Sequence, residues 1–332
     1  MHANANVGLM NSADRRRTAV ASVLLALSAV SAAAETFPEK PLRLLVPYTP
    51  GGAADVVSRA VAQRLTQRLG QPVVVENKPG DGGVLAMGIL AKAPKDGYTF
   101  GLVANSYATI AILRPKLSFN PATELTPLAF VGTIPFILLT RTDAPFKTLQ
   151  EFIGYAKQNP GKLSFASAGS GTMSHLLPTS FKKELGVALT HIPYGGAAPS
   201  LTSLMGGHVD LYLDPVATSA DLVKTGKLRA LAVTGGSRSK TLPNVPTLIE
   251  QGVAIRAVSW LGFVAPSGVP EAVLDKLNTE INAALQDEGL RRQFEAMEIE
   301  IDSGPPSKFT AFAAKEAEFW GQIIRENQIR AD

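Results

Sequence analysis

Short apolar strands, glycine-rich turns and amphipathic helices alternate along most of this chain, and no other feature constrains its fold so strongly. The first instance is Leu42–Leu69. Leu42–Val46 is an apolar run suited to a buried strand, and Pro47 and Pro50 stop it. Gly51 and Gly52 then let the backbone turn tightly. The spacing predicts a helix with Val57, Val61, Leu65 and Leu69 on one stripe and Gly70 as its stop. A strand, a glycine turn and a helix N-terminus together make an anion site, because free backbone N–H groups and the helix dipole converge there. The turn is neither a Walker A loop nor a GxGxxG fingerprint, so a nucleotide is not indicated.

The rhythm continues. Pro72–Glu76 reads as a strand, Asn77–Gly83 as a second glycine-rich turn, Leu85–Lys92 as a helix, and Tyr98–Ala104 as a strand ending at Asn105 and Ser106. Such alternation argues for an α/β fold with a mostly parallel sheet covered on both faces. Ligands of such sheets collect beyond the carboxyl ends of the strands, so the loops Pro50–Asp55, Asn77–Gly83 and Asn105–Tyr107 should line one crevice. Phe130–Thr140 reads as a first apolar crossing to a second domain. There the helix Leu149–Gln158, the strand Leu163–Ala166, the loop Ser167–Gly171 and the helix Met173–Leu185 repeat the opening arrangement. The strand Ala188–Ile192 leads to Pro193–Ala198, an echo of the Pro47–Ala54 turn. Strands follow at Val209–Leu213 and Leu228–Thr234, with a short helix at Thr247–Gln251. Ser259–Ala265 crosses back. The remainder reads as helices Pro270–Leu285, Leu290–Met297 and Pro306–Asn327, interrupted by a strand at Glu298–Ile301. Two crossings make the second domain an insertion and form a hinge.

The N-terminus reads as an export signal. Arg15–Arg17 supply a positive start, Ala19–Val30 an apolar stretch too short to span a bilayer, and Ala32–Ala34 a small-residue cleavage pattern. Cleavage after Ala34 is expected, through general secretion in preference to twin-arginine export. Removing residues 1–34 takes away three Arg and one Asp, so 32 basic and 28 acidic residues become 29 and 27, a net charge of +2. No long Lys/Arg run remains, which argues against nucleic acid. Cysteine is absent, which excludes thiol catalysis and thiolate metal sites and leaves stability to the hydrophobic core.

Few residues offer chemistry. Ser174 and His175 are adjacent, and neighbours on a helix point about 100° apart, so they cannot pair. No GxSxG elbow is present. Asp210 and Asp214 share a strand face without a third metal ligand nearby. Asp55 in the first turn of its helix suits the helix dipole, whereas Asp214 at a strand end has the better claim to meet a ligand. Tyr48, Tyr107 and Trp260 suit the walls of a site for an organic molecule. What survives is a set of uncharged glycine-rich cradles, two or three in each domain. Lys and Arg are absent from Pro47–Ala54 and Ser167–Ser174. An anion there would be held by backbone N–H groups, hydroxyls and water, and two opposed cradles fit a ligand with two anionic or polar ends.

The motifs Pro47–Asp55, Glu76–Gly83, Pro94–Thr99, Ser167–Thr172 with Ser174–Leu176, Ile192–Gly196, Gly206–Asp210, Gly226–Thr234 and Leu242–Thr247 follow one another in order. Together they resemble the Bug family, the TctC-type extracytoplasmic solute receptors of tripartite tricarboxylate transporters. The resemblance implies a type II periplasmic binding protein fold, with two Rossmann-like lobes joined by a two-stranded hinge. Lobe 1 would be residues 35–140 plus 260–332, and lobe 2 residues 141–259. It implies a periplasmic, monomeric, non-enzymatic receptor that needs no cofactor or metal and closes on a small carboxylate. One carboxylate would lie on Tyr48, Thr49, Pro50, Gly51, Gly52, Ala53, Ala54 and Asp55, near Asn105 and Ser106. The other end would meet Ser167, Ala168, Gly169, Gly171, Thr172, His175 and Asp214. The ligand would pass to membrane permease subunits. A receptor for a membrane histidine kinase and an exported hydrolase using Ser170 or Ser174 are the alternatives. Asp81, Asn105–Tyr107 and Arg114 depart from the family pattern, placing charges of both signs near the crevice.

Overall fold

The computed structural model describes residues 37–330, and the export-signal reading of residues 1–34 lies outside them. Ten strands run β1 Leu42–Val46, β2 Val73–Asn77, β3 Thr99–Val103, β4 Leu125–Arg141, β5 Ser164–Ser167, β6 Thr190–Pro193, β7 Leu211–Pro215, β8 Leu228–Val233, β9 Val258–Pro266 and β10 Glu300–Ile301. Among the described residues eleven α-helices join them: α1 Ala53–Leu69, α2 Val84–Ala91, α3 Ser106–Leu113, α4 Pro121–Glu124, α5 Leu149–Gln158, α6 Met173–Leu185, α7 Ala197–Met205, α8 Val216–Lys224, α9 Glu271–Leu285, α10 Glu288–Ala296 and α11 Pro306–Glu326.

The strands form two sheets that share the 17-residue β4. In the first, β2, β1 and β3 are parallel, and antiparallel β9, β4 and β10 complete it. In the second, β4 lies between β8 and β7, followed by β5 and β6. The handover is sharp: Leu125–Pro135 of β4 pairs with β9, and Phe136–Thr140 pairs with β7. Both apolar stretches read as crossings are therefore strands, and they pair with each other.

Strands covered on both faces are buried along their whole length, as in β3, where every residue is buried and all but Thr99 lack a polar side chain. Helices α1 and α9 cover one face of the first sheet, burying Leu44, Val57, Val61, Leu277 and Ile281 in one cluster. On the other face α2, α3 and α11 bury Met87, Ile110, Phe309 and Trp320, a core that continues into the second lobe through Phe165, Leu176 and Phe181. Helix α1 ends as the sequence predicts, with Gly70 left-handed at φ 68°.

Three local expectations change. Thr247–Gln251 is a turn instead of a helix: Thr247 and Glu250 exchange reciprocal side-chain bonds like a capping box, but Gly252 at φ 82° ends the segment after one turn. The loop read at Asn105–Tyr107 is instead the start of a helix, Ser106–Leu113. Val216–Lys224 is a further helix that the polar-apolar pattern did not announce.

Candidate functional site

The carboxyl ends of β1, β3, β5 and β7 point into one cleft between the two sheets, as the sheet topology requires. The cleft encloses ≈ 580 Å³ of empty space, mouth included. Tyr48, Gly52, Ala53, Ala54, Ala104 and Asn105 line it from the first lobe, with Ser259 and Leu261 of β9. Ala168, Thr172, Met173, Ser174, Ala197, Tyr212, Leu213 and Pro215 line it from the second, with Phe136 of β4.

Five helices present their first turn to this space: α1 at Gly52–Ala54, α3 at Asn105, α6 at Thr172–Ser174, α7 at Ala197 and α8 at Pro215. None of the five has a side-chain cap. Of the six helices that start elsewhere, α4, α5 and α10 are capped by Asn120, Thr148 and Asp287, and α2, α9 and α11 have no side-chain cap. Backbone N–H groups of an uncapped first turn remain to be satisfied and carry positive potential. No Lys, Arg, His, Asp or Glu is among the lining residues. The cleft can therefore hold anionic groups by oriented amides, without an ion pair.

The residues singled out in the sequence divide into those at the cleft wall and those behind it. Tyr48, Gly52, Ala53, Ala54, Asn105, Ala168 and Thr172 are at the wall. Pro50 and Gly51 are exposed on the turn, and Ser106 is buried, its side chain hydrogen-bonded to Tyr48. Burial raises the Tyr48 phenol above its ordinary range, against the pull of that bond. The Thr49 hydroxyl oxygen is buried against Gly196 of the opposite lobe, with no partner among the described residues.

Asp55 is buried and spends its carboxylate on the turn: Gly51 N donates at 3.1 Å, Asn77 Nδ2 at 2.9 Å and Arg59 Nε at 3.0 Å. Burial alone would raise its pKa, but these donors outweigh it and hold the carboxyl below its ordinary value. Asp214 lies behind the wall. Burial raises its pKa to about 6, against hydrogen bonds from Thr218, Tyr212 and Ser219. The Tyr212 phenol, buried beside that carboxylate, is raised well above its usual range by desolvation and then by Asp214.

Beneath the second cradle two histidines stack with ring centroids 4.0 Å apart. His175 Nδ1 accepts from Gly171 N at 3.2 Å, and His191 Nε2 lies 2.6 Å from Ser167 Oγ, which accepts from Gly169 N at 3.2 Å. Ser167, Gly169, Gly171 and His175 thus shape the loop from below. Burial, with His191 adding to it, lowers the His175 pKa to about 3, so the ring is neutral and can accept. Asp81 and Arg114, the two charges placed near the crevice by the sequence, form a salt bridge with each other. Among the described residues no cluster of His, Cys, Asp or Glu could hold a metal ion, and no helix is long and apolar enough to cross a membrane.

The wall residues that the sequence reading missed are chiefly Phe136, Met173, Tyr212, Leu213, Ser259 and Leu261. Phe136, Met173, Leu213 and Leu261 read as core by their apolar character, and the pairing of β4 with β9 and β7, with α6 packed beside them, brings the six to one cleft.

Two lobes sharing a strand and facing each other with uncapped helix N-termini define a two-lobed solute-binding protein. The chain belongs to the family described as the tripartite tricarboxylate transporter family receptor, whose profile matches residues 57–329. It is similar to the periplasmic binding protein BugD, at 33% identity and TM-score 0.84, covering 89% of this chain and 99% of that one. A protein of R. palustris solved with adipate is 32% identical with TM-score 0.85, covering 89% and 99%. MatC from Rhodopseudomonas palustris with bound malate is 30% identical with TM-score 0.81, covering 87% and 100%. The resemblance carried by the motifs is thereby borne out, as is the two-lobed α/β fold.

Proposed function

We propose that this chain is exported, captures a small organic carboxylate between its two lobes, and delivers it to the membrane permease of a tripartite tricarboxylate-type transporter. The observation that carries this reading is the convergence of five uncapped helix N-termini on a cleft lined without any charged side chain. Backbone amides and helix dipoles stabilise an anion there, and no carboxylate is among the lining residues to face it. Relatives solved with adipate and malate support the same ligand class. The two lobes swing about the β4 and β9 segments near Pro135 and Val258, and lobe 2 is the inserted unit, residues 141–259.

Binding without turnover is supported by how the hydroxyls are used. Ser174 Oγ accepts from Ala168 N at 3.0 Å and sits 2.9 Å from Thr172 Oγ1, with its partners in the loop and no histidine among them. Ser167 is buried, His191 is half-buried, and the pair lies outside the lining.

A thermal-shift screen of mono-, di- and tricarboxylates against neutral amides tests the reading. Ligand at 100 times its dissociation constant stabilises by about 2.7 kcal/mol. A selective carboxylate hit that is recovered unchanged supports capture; turnover of an ester or amide would argue for hydrolysis instead.

A further inference from the structure

The cleft wall is divided into two chemistries. Its polar side chains, Ser259 excepted, are already engaged. Asn105 donates from Nδ2 to Val258 O at 3.0 Å and accepts from Trp260 N at 3.4 Å, so both ends of its amide hold β9. Thr172 Oγ1 donates to Gly169 O at 2.6 Å, and Ser174 is tied to Ala168 N, so both lie at the second cradle, where a charged ligand end sits. The Tyr212 hydroxyl is bonded to Asp214 and Ser200, behind the wall. Between the cradles the surface is hydrocarbon: Ala104, Phe136, Met173, Leu213 and Leu261. Ser259 is the lining hydroxyl without a hydrogen-bond partner among the described residues.

We infer that the ligand is a dicarboxylate whose charged ends are joined by an unsubstituted hydrocarbon or aromatic spacer, and that the walls discriminate against hydroxy-acids of the same length. The inference rests on the carboxylate-capture reading and narrows it. A methylene laid against Phe136, Leu213 and Leu261 leaves water for an apolar surface, which is favourable in proportion to area. A hydroxyl in the same place gives up its water and faces hydrocarbon side chains, the cradle N–H groups being taken by the carboxylates, so its desolvation is not compensated. Discrimination of this kind is strong, because a buried polar group left unpaired costs far more than a missing methylene.

Titration calorimetry of the protein with matched pairs tests this. Succinate is compared with malate, and adipate with galactarate, which has the same six-carbon chain with four hydroxyls. The unsubstituted member of each pair is expected to bind more tightly by about one to two orders of magnitude. Lengthening the chain from the four carbons of succinate is expected to gain about fourfold per methylene until the cleft is full. Equal or tighter binding of the hydroxylated members would overturn the inference and leave carboxylate capture standing. Binding of neither member of any pair, nor of an aromatic dicarboxylate, would overturn both.

Discussion

Thr109 Oγ1 of α3 donates to the carbonyl oxygen of Gly171 at 2.9 Å, a hydrogen bond that joins the first lobe to the cradle of the second. Thr109 is fully buried, so the bond is made away from water, beside the packing of Gly171 on Ile110 and Leu113. The same loop is held from beneath by His175, through the Gly171 N–H. One residue thus takes a bond from each side, and its position couples the cradle to contact between the lobes.

Replacing Thr109 with Val keeps the volume and removes the donor. The loss is expected to weaken ligand binding by about 1 kcal/mol, or roughly fivefold, mostly as faster dissociation. Stopped-flow dissociation rates for the variant and the parent check this. An unchanged rate would mean that the bond plays no part in holding the closed lobes.

Gly82 and Gly169 carry a stronger constraint. A Cβ on Gly82, at φ 63°, would overlap the Ser170 carbonyl oxygen, and one on Gly169, at φ 124°, would come within 2.5 Å of Gly82 N. Backbone meets backbone here across the two lobes, and neither side can yield as a flexible side chain would. Gly82→Ala should therefore wedge the lobes apart and reduce affinity by at least tenfold. Its left-handed backbone costs only about 1–2 kcal/mol of stability. Small-angle scattering with saturating ligand should show a larger radius than the parent. A variant as compact as the parent, with normal affinity, would refute the contact.

Two buried groups give stability opposite pH slopes. Asp214 has its pKa raised to about 6 from an ordinary 3.8, chiefly by burial, so the folded state holds the proton more tightly. Its contribution is complete below pH 3.8, falls as pH rises towards 6, and leaves a penalty of roughly 3 kcal/mol above that. His175 is lowered to about 3 from 6.5, first by burial and then by His191. Its neutral ring supports the fold above pH 6.5, and that support drains away as pH falls towards 3. Between pH 4 and 6 the slopes oppose each other, and below pH 4 only the histidine of these two still titrates. Asp214→Asn should be more stable than the parent at pH 7 and no more stable at pH 3.5, measured by urea unfolding. Equal stability at pH 7 would contradict the burial argument.

Much of this was legible because local rules and tertiary structure agree. Leu149–Gln158 and Met173–Leu185 form helices with the bounds their apolar stripes and Gly/Pro stops announce. The turn at Gly51 was also readable, with φ at 89°, but Gly52 has an ordinary φ of −80°. A Cβ on Gly52 would meet only ordinary contacts, Ala197 Cβ at 3.8 Å and Thr49 O at 4.0 Å, so the sequence does not show which of the two glycines is conformationally required. Helix α3 was hidden because Asn105 and Ser106 read as the end of a strand; Asn105 instead anchors its start to β9, 153 residues away. Asp214 was read as facing the cleft because strand ends usually do. Tyr212, two residues earlier, is at the wall instead, and Asp214 is buried behind it. Long-range pairing decides such questions, and spacing along the chain does not encode it.

The central claim is that backbone amides of opposed helices hold the two charged ends of an organic carboxylate. The most direct measurement compares adipate with adipamide, its neutral diamide of the same length and spacer, by thermal shift of the protein. Adipate at saturating concentration is predicted to raise Tm by several degrees, and adipamide to leave it unchanged. Equal stabilisation by both, or by the diamide alone, would show that the cleft recognises the spacer and not the anion, and would contradict the account.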